Sequence, residues 1–417
     1  MRRLLPLLLA LVAGAPAARG DLLVPMDLEQ TDHLRAYGLA YHRLQQQETA
    51  LWLLNYRGGS FLLTDSEAAR REAVRLGVRV EPVSEGQRAA IFGTIEKSNM
   101  EKVVLEKAPE VAIYSPPTAQ PWDDAVMMAL AYAEIPYTVV YDQEVLAGRL
   151  ADFDWLHLHH EDFTGQYGKF LALYGSTPWY QRDKLVSEQM AAAAGFPSVS
   201  EHKKAVARAI RAYVERGGFL FSMCSATDSI DIALAAEGVD IVAAEFDGDP
   251  PDPDCQERLD YTRGFCFKDY QLITSPMVYE FSDVDATNTA RLRGRGGDYF
   301  TLFEFSAKFD PVPTMLVQNH VAVVEGFMGQ TTSYYQRFLQ EHVTVLGEVE
   351  GAGELRYIHG SRGQGTFTFL GGHDPEDYEH RVGDPPTDLS LHVHSPGYRL
   401  ILNNVLFPAA EKKERKT

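Results

Sequence analysis

The chain is poor in several things, and each shortage narrows what it can be. It has three cysteines in 417 residues, too few for a disulfide framework. Basic side chains are in the minority, 39 Lys and Arg against 58 Asp and Glu, for a formal charge of −19. Such a surface repels phosphate backbones and anionic lipid, so nucleic acid is excluded as a partner. No apolar run after the first residues approaches the roughly 18 needed to cross a bilayer, so no membrane span is expected. The acidic charge is spread along the chain and forms no acidic tail. Internal repeats and low-complexity segments are also missing.

What the chain does have begins with an export signal. Arg2 and Arg3 precede the short apolar run Leu4 to Val12, and Ala13 to Gly20 is small and helix-poor. Ala18-Arg19-Gly20 before Asp21 fits a small-x-small cleavage site, with Ala15-Pro16-Ala17 as the rival. The expected location is therefore the periplasm or the outside of the cell. Residues 21–107 read as a small N-terminal α/β unit. Leu22 to Val24 is a strand, and Leu34, Tyr37, Tyr41 and Leu44 mark one helix face. Apolar runs then flank the turn signal Asn55 to Ser60, Asp65 or Ser66 caps a helix ending at Gly77, and Val78 to Val83 is a further strand. Arg57 in that turn is a candidate to project toward the rest of the chain. Lys107-Ala108-Pro109 marks the boundary with a larger unit, residues 108–410, and the basic tail 411–417 follows.

In the larger unit apolar strands alternate with helices, which predicts an open, mostly parallel α/β sheet of flavodoxin-like type. The strands are Val111 to Tyr114, Tyr137 to Tyr141, Trp155 to Leu158, Phe219 to Met223 and Thr366 to Leu370. The stretch from about Phe265 to Val345 reads as β-rich extra strands or a β insertion. A last helix runs from Pro396 through Leu406.

Three polar clusters directly follow apolar strands. They are His157 to Asp162, then Cys224 with Thr227 and Asp228, then His373 with Asp374 and Glu376. In a parallel sheet these strand ends share one rim, where ligands bind. By the period of two, His157 and His159 lie on one strand face. A thiol, imidazoles and carboxylates on one rim make up a nucleophilic inventory. In that reading Cys224 is the nucleophile, His373 its base, and Asp374 or Glu376 orients the imidazole. His159, His160, Glu161, Asp162, Thr227 and Asp228 are the candidate ligand-binding residues. Thr227 or Asp228 also serves to cap the next helix. Cys224 equally suits a small buried hydrophobe, and the histidine run equally suits a hydrogen-bonded loop closure. Imidazoles and carboxylates suit zinc or iron, but the spacing fits no standard zinc motif, so no metal or other cofactor is assigned. Asp247, Asp249, Asp252 and Asp254 lack the spacing of a calcium loop and read as solvated. Cys255 and Cys266 lie near enough in sequence to pair, which would leave Cys224 free.

The run Gly217-Gly218-Phe219 through Cys224-Ser225-Ala226-Thr227-Asp228-Ser229, with Gly372-His373-Asp374, resembles the trehalose-utilisation (ThuA-like) branch of the class I glutamine-amidotransferase-like fold. The resemblance covers about two-thirds of the chain and is weak outside the two motifs. It implies a small polar, carbohydrate-class ligand. Cys224 stands where that branch has His. The amidotransferase branch has Cys there, but inside Gly-x-Cys-x-Gly, a turn absent from Ser222-Met223-Cys224-Ser225-Ala226. Over its whole length, including Asn55 to Phe61 and His159 to Gly168, the chain is also similar to exported bacterial proteins commonly labelled asparagine synthetase B. The chemistry of that label needs an N-terminal catalytic Cys and a Ser-Gly-Gly-x-Asp-Ser nucleotide loop, and this sequence has neither. The resulting expectation is an exported, enzyme-like protein that binds a small polar ligand. The alternatives are a non-catalytic binding or assembly module of the cell envelope and, less favoured, a glutamine amidotransferase.

Overall fold

The computed structural model describes residues 20–118, 122–310 and 312–411. The expected export signal, residues 1–20, and the expected basic tail, residues 411–417, lie outside the described residues except for Gly20 and Glu411.

The N-terminal unit is a five-stranded antiparallel sheet, with β1 (Asp21–Val24), β2 (Ala50–Leu54), β3 (Ser60–Thr64), β4 (Glu81–Val83) and β5 (Glu101–Leu105) in the order β4-β1-β3-β2-β5. The turn after Leu54 joins β2 to β3, with Asn55 and Arg57 both at positive φ. The helix His33–Gln45 buries Leu34, Tyr37, Tyr41 and Leu44 as their spacing requires. Ser66 accepts the Ala69 N–H at the start of helix Glu67–Leu76, and Gly77 closes that helix in the left-handed region. β4 is shorter than the apolar run suggested. It is an edge strand paired only with β1, and Pro82 has no N–H to extend a ladder.

The second sheet holds β6 (Val111–Tyr114), β7 (Thr138–Val140), β8 (Trp155–Leu158), β9 (Phe219–Met223), β10 (Tyr299–Leu302), β11 (Val323–Glu325), β12 (Tyr334–Tyr335), β13 (Thr344–Val349), β14 (Glu354–Arg362) and β15 (Gly365–Leu370). Its order is β11-β10-β13-β14-β15-β9-β8-β6-β7, with β12 paired to β14. Five neighbours, β15-β9-β8-β6-β7, are parallel. The other strands extend the sheet antiparallel from β15. β6, β8 and β9 are buried along their whole length, which is why their sequences show apolar runs without alternation.

Much of the region read as β-rich has no regular structure. Its backbone donors are met by side chains instead: the buried Asp231 carboxylate accepts the N–H groups of Phe265, Cys266 and Phe267. Cys266 is buried there and all three cysteines are free, so the Cys255–Cys266 pairing is not formed. Arg57 does not reach the second sheet, being held by Asp27, Glu29 and Glu81 of its own unit. The link between the sheets is the helix Pro396–Leu406, which packs on helix His33–Gln45 and on helix Ala125–Tyr132. Its fully buried Arg399 donates to Met26 O at 2.9 Å, to the Tyr37 hydroxyl at 3.1 Å and to Gly58 O. One apolar core runs through both units.

Candidate functional site

β8, β9 and β15 run side by side in the same direction, with Leu158 beside Ser222 and Leu370 beside Met223. The residues after them therefore emerge on one rim. Cys224 turns the chain sharply at φ +50°, a conformation uncommon for a residue with a side chain. The helix Ala226–Ala235 starts directly after it, and its first N–H donates to His159 O at 3.0 Å. On the far side Gly372 sits at φ +99°, where a Cβ would overlap the ring and carbonyl oxygen of Phe327. The next residue, His373, donates its N–H to Met328 O at 3.0 Å. These backbone contacts tie the segments after β8 and β9 to each other and the segment after β15 to Phe327 and Met328.

The side chains that meet there are mostly imidazoles. Ring centroids of His159 and His373 are 4.4 Å apart, those of His159 and His160 5.2 Å, and those of His160 and His373 6.0 Å. His380 stacks on His373 at 4.8 Å, and its Nδ1 donates to Asp377 Oδ2 at 3.0 Å. Behind them lies Asp124, whose Oδ1 caps helix Ala125–Tyr132 through the N–H groups of Val126 and Met127. The same carboxylate lies 3.5 Å from His157 Nε2 and 3.3 Å from His159 Nδ1. His157 and His159 do share one strand face, and Asp124 is what they face.

Electrostatics follow from this burial. Burial alone would raise Asp124, but the His157 and His159 imidazoles hold its carboxyl well below the usual carboxylate range. Burial holds His373 and His160 well below the ordinary imidazole value, and the neighbouring rings act in the same direction. Both are neutral at pH 7. Among the described residues, both ring nitrogens of His159, both of His373 and the Nδ1 of His160 are buried without a hydrogen-bond partner.

The thiol relay does not form. Burial pushes the Cys224 thiol up to about 11, although the N–H groups of Gln330, Ser225 and Thr331 point at the sulfur. The Gln330 N–H lies 3.3 Å from Sγ. His373 and Cys224 line the same cavity, but neither nitrogen of His373 is bonded to the thiol or to a carboxylate. Asp374 is turned away and accepts from the Tyr398 hydroxyl at 2.8 Å, the Thr387 hydroxyl at 2.6 Å and the Glu376 N–H at 2.9 Å. Glu376 pairs with His392 at 2.9 Å. The assignment of Asp374 or Glu376 as the group that orients His373 is thus corrected: both carboxylates are committed to the loop and to the C-terminal segment.

The other expected ligand-binding residues divide. Asp162 is used up in closing its own loop, accepting the N–H groups of Thr164, Gln166 and Gly168 and the Thr164 hydroxyl. Thr227 donates to Cys224 O at 2.7 Å, and Asp228 accepts the Thr331 hydroxyl at 2.9 Å. Neither caps the helix, whose first residue follows Ser225 with no side-chain cap. Burial pushes Asp228 up to about 7. Glu161 is pushed up to about 8 by burial, partly offset by Lys203. It lines a small recess next to the imidazoles, together with Trp122, His160 and Lys203.

His160, Cys224 and His373 share one cavity of about 290 Å³. Its lining combines aromatic rings, from Trp122, Phe170, Tyr174 and Tyr279, with polar groups, from His160, His373, His380, Arg291 and Arg381. Sequence reading missed Asp124, Trp122 and His380 as site residues. Asp124 carried one usable signal: as a helix cap following β6, it had to sit on the same rim.

No protein family model and no curated protein matches this chain. Among solved structures it is similar to two cytoplasmic proteins of Salmonella typhimurium. They are 11% and 12% identical, covering 73% and 72% of this chain and 100% and 99% of theirs, with TM-scores of 0.34 and 0.35.

Proposed function

We propose that this chain is an exported, enzyme-like protein that binds a small polar molecule of the carbohydrate class in the rim cavity. We further propose that its parallel strands form a flavodoxin-like sheet. Numbered among themselves, the five parallel strands lie in the order 2-1-3-4-5, the order of that doubly wound arrangement.

One observation carries the reading: the cavity lies where the strand order turns back. Trp122 comes from the loop after β6 and His160 from the loop after β8, the two neighbours that diverge at that point. Open α/β sheets bind ligands in this crevice. Aromatic rings together with imidazole and guanidinium groups around one cavity match a molecule with apolar C–H faces and hydroxyl edges. The resemblance of the strand-end motifs to the trehalose-utilisation branch supports the same ligand class.

The protonated thiol of Cys224 and the unoriented His373 argue against thiol nucleophilic catalysis, since the thiolate is the nucleophile. Glutaminase activity is therefore not expected. On this one count the non-catalytic envelope module gains support as a second reading.

The test is calorimetric titration of the full chain with a panel of hexoses, disaccharides, polyols and sugar acids. Saturable binding to at least one of them, lost in His373→Gln and in Tyr279→Ala, is the expected result. No binding across the panel, or binding that ignores both substitutions, overturns the reading.

A further inference from the structure

We propose that His159, His160 and His373 bind one divalent transition-metal ion of the zinc class, with Asp124 as the outer partner of His159 and an open coordination position facing the rim cavity. This replaces the sequence-based expectation of no metal. It deepens the functional reading above and rests on it only for what fills the open position.

The geometry comes first. One donor atom from each of the three histidines lies within 4.8 Å of the others. A tetrahedral ion with metal–nitrogen distances of about 2.0–2.1 Å needs donors about 3.3–3.4 Å apart. Ring rotations that draw the donors in by about an ångström bring the three onto one ion. Three imidazoles with a free fourth position is the pattern of catalytic rather than structural zinc sites, and imidazole suits zinc, copper, iron and nickel.

The second observation is the unpaid desolvation of these rings. His159 and His373 are 1% and 7% exposed, yet the His159 Nε2 and both His373 nitrogens have no hydrogen-bond partner among the described residues. Each buried orphan polar group costs the fold its lost hydration. Several at one point, from two separate segments, are what a metal removes.

The surrounding contacts select this set over its neighbours. Asp124 lies 3.3 Å from His159 Nδ1, close but not aligned as a hydrogen bond, which leaves Nε2 as the ring's free donor. That is the carboxylate–histidine–metal arrangement that fixes ring orientation and raises ligand basicity. Asp124 itself is held by two backbone N–H groups, and His157 is tied through Nδ1 to Phe221 O at 3.1 Å. Both belong to the support and not to the metal. Asp377, His380 and Asp384 form a separate, partly exposed group. There His380 Nδ1 is engaged by Asp377 and Asp384 accepts the Arg381 N–H. An ion at the three histidines would acidify a bound water beside the cavity. This is the activating group that Cys224, Asp374 and Glu376 do not supply.

The test uses the purified full chain, stripped with chelator and titrated with Zn²⁺ and, in parallel, Co²⁺ alone. One equivalent should bind, with the intense visible bands of four-coordinate cobalt. His373→Gln and His159→Gln should abolish stoichiometric binding while retaining the circular dichroism of the parent. Asp124→Asn should weaken binding about 10- to 100-fold, and Cys224→Ser should leave it unchanged. Three results overturn the proposal: no stoichiometric binding by the parent chain, binding unaffected by either histidine substitution, or binding lost with Cys224→Ser, which would move the ion to the thiol. If a histidine variant fails to fold, the Cys224→Ser and Asp124→Asn arms still decide. Metal binding in the absence of any sugar binding would sink the carbohydrate reading and leave the metal site standing.

Discussion

The imidazoles of His159 and His373 approach to 4.4 Å between ring centroids although they follow different strands, β8 and β15, with β9 running between them. The contact exists because β8, β9 and β15 are parallel and in register. The chain leaves all three at one rim, and both histidines lean over the turn at Cys224. A carboxylate from a fourth segment, Asp124, backs the pair.

The first prediction concerns Cys224. With its thiol pushed up to about 11 by burial, its thiolate fraction near pH 7 is roughly two orders of magnitude below that of a free cysteine. Alkylation of the native chain should therefore label the half-buried Cys255 first and reach Cys224 only on unfolding. Mass mapping after a short alkylation pulse checks this. Rapid labelling of native Cys224 near neutral pH would restore the nucleophile reading.

Much of the fold was legible because buried parallel strands leave an unmistakable trace. Trp155 to Leu158 and Phe219 to Met223 are strands over the full length of their apolar runs, and the strand ends pointed to the right rim. The antiparallel extension was less legible, since strands such as Val323–Glu325 and Tyr334–Tyr335 are only three and two residues long. At the site the histidines were legible, but the carboxylates were not. Asp374 follows His373 in sequence, yet its direction is set by Tyr398, a residue of the last helix. Asp124 reads as a helix cap, and its second role depends on two histidines brought in from another strand. Adjacency along the chain does not report where a carboxylate points.

A second prediction concerns acid stability. His33 is buried against Arg399, His320 and His394, and burial together with the Arg399 charge lowers it to about 3; the same causes lower His320 to about 4. Both are neutral when folded, whereas the unfolded chain protonates them near 6.5. Between these values the unfolded state binds more protons, so stability is fully present above about pH 6.5 and is lost as pH falls toward 4 and 3. His33 alone should account for about 2 kcal/mol between pH 7 and pH 5. Urea unfolding at the two pH values should show this loss, and His33→Gln should flatten it. An equal pH slope in the variant would show that other groups carry the effect.

A third prediction tests the frame around the cavity. Asp298 is fully buried and holds the equally buried Arg356, while Arg293 bridges Asp298 and Glu354. Arg356 in turn donates to Phe327 O at 3.1 Å, against which Gly372 packs. Asp298→Ala leaves a buried guanidinium uncompensated and should cost about 3–5 kcal/mol. Chemical denaturation measures it, and a loss below about 1 kcal/mol would mean that Glu354 and the carbonyls satisfy the arginines without it.

A fourth prediction concerns Gly372. Any side chain there meets Phe327, and its φ of +99° is strained for every other residue. Gly372→Ala should destabilise the fold by more than about 1 kcal/mol and displace His373. Thermal unfolding reads the first effect. A variant as stable as the parent would show that the segment from Gly371 to His373 adapts.

The three-imidazole site is tested most directly by X-ray absorption at the zinc edge of the zinc-loaded chain. The expected first shell is nitrogen and oxygen at about 2.0–2.1 Å, with the outer-ring scattering of three imidazoles and no sulfur. A zinc–sulfur shell at about 2.3 Å, or fewer than three imidazoles, would contradict it.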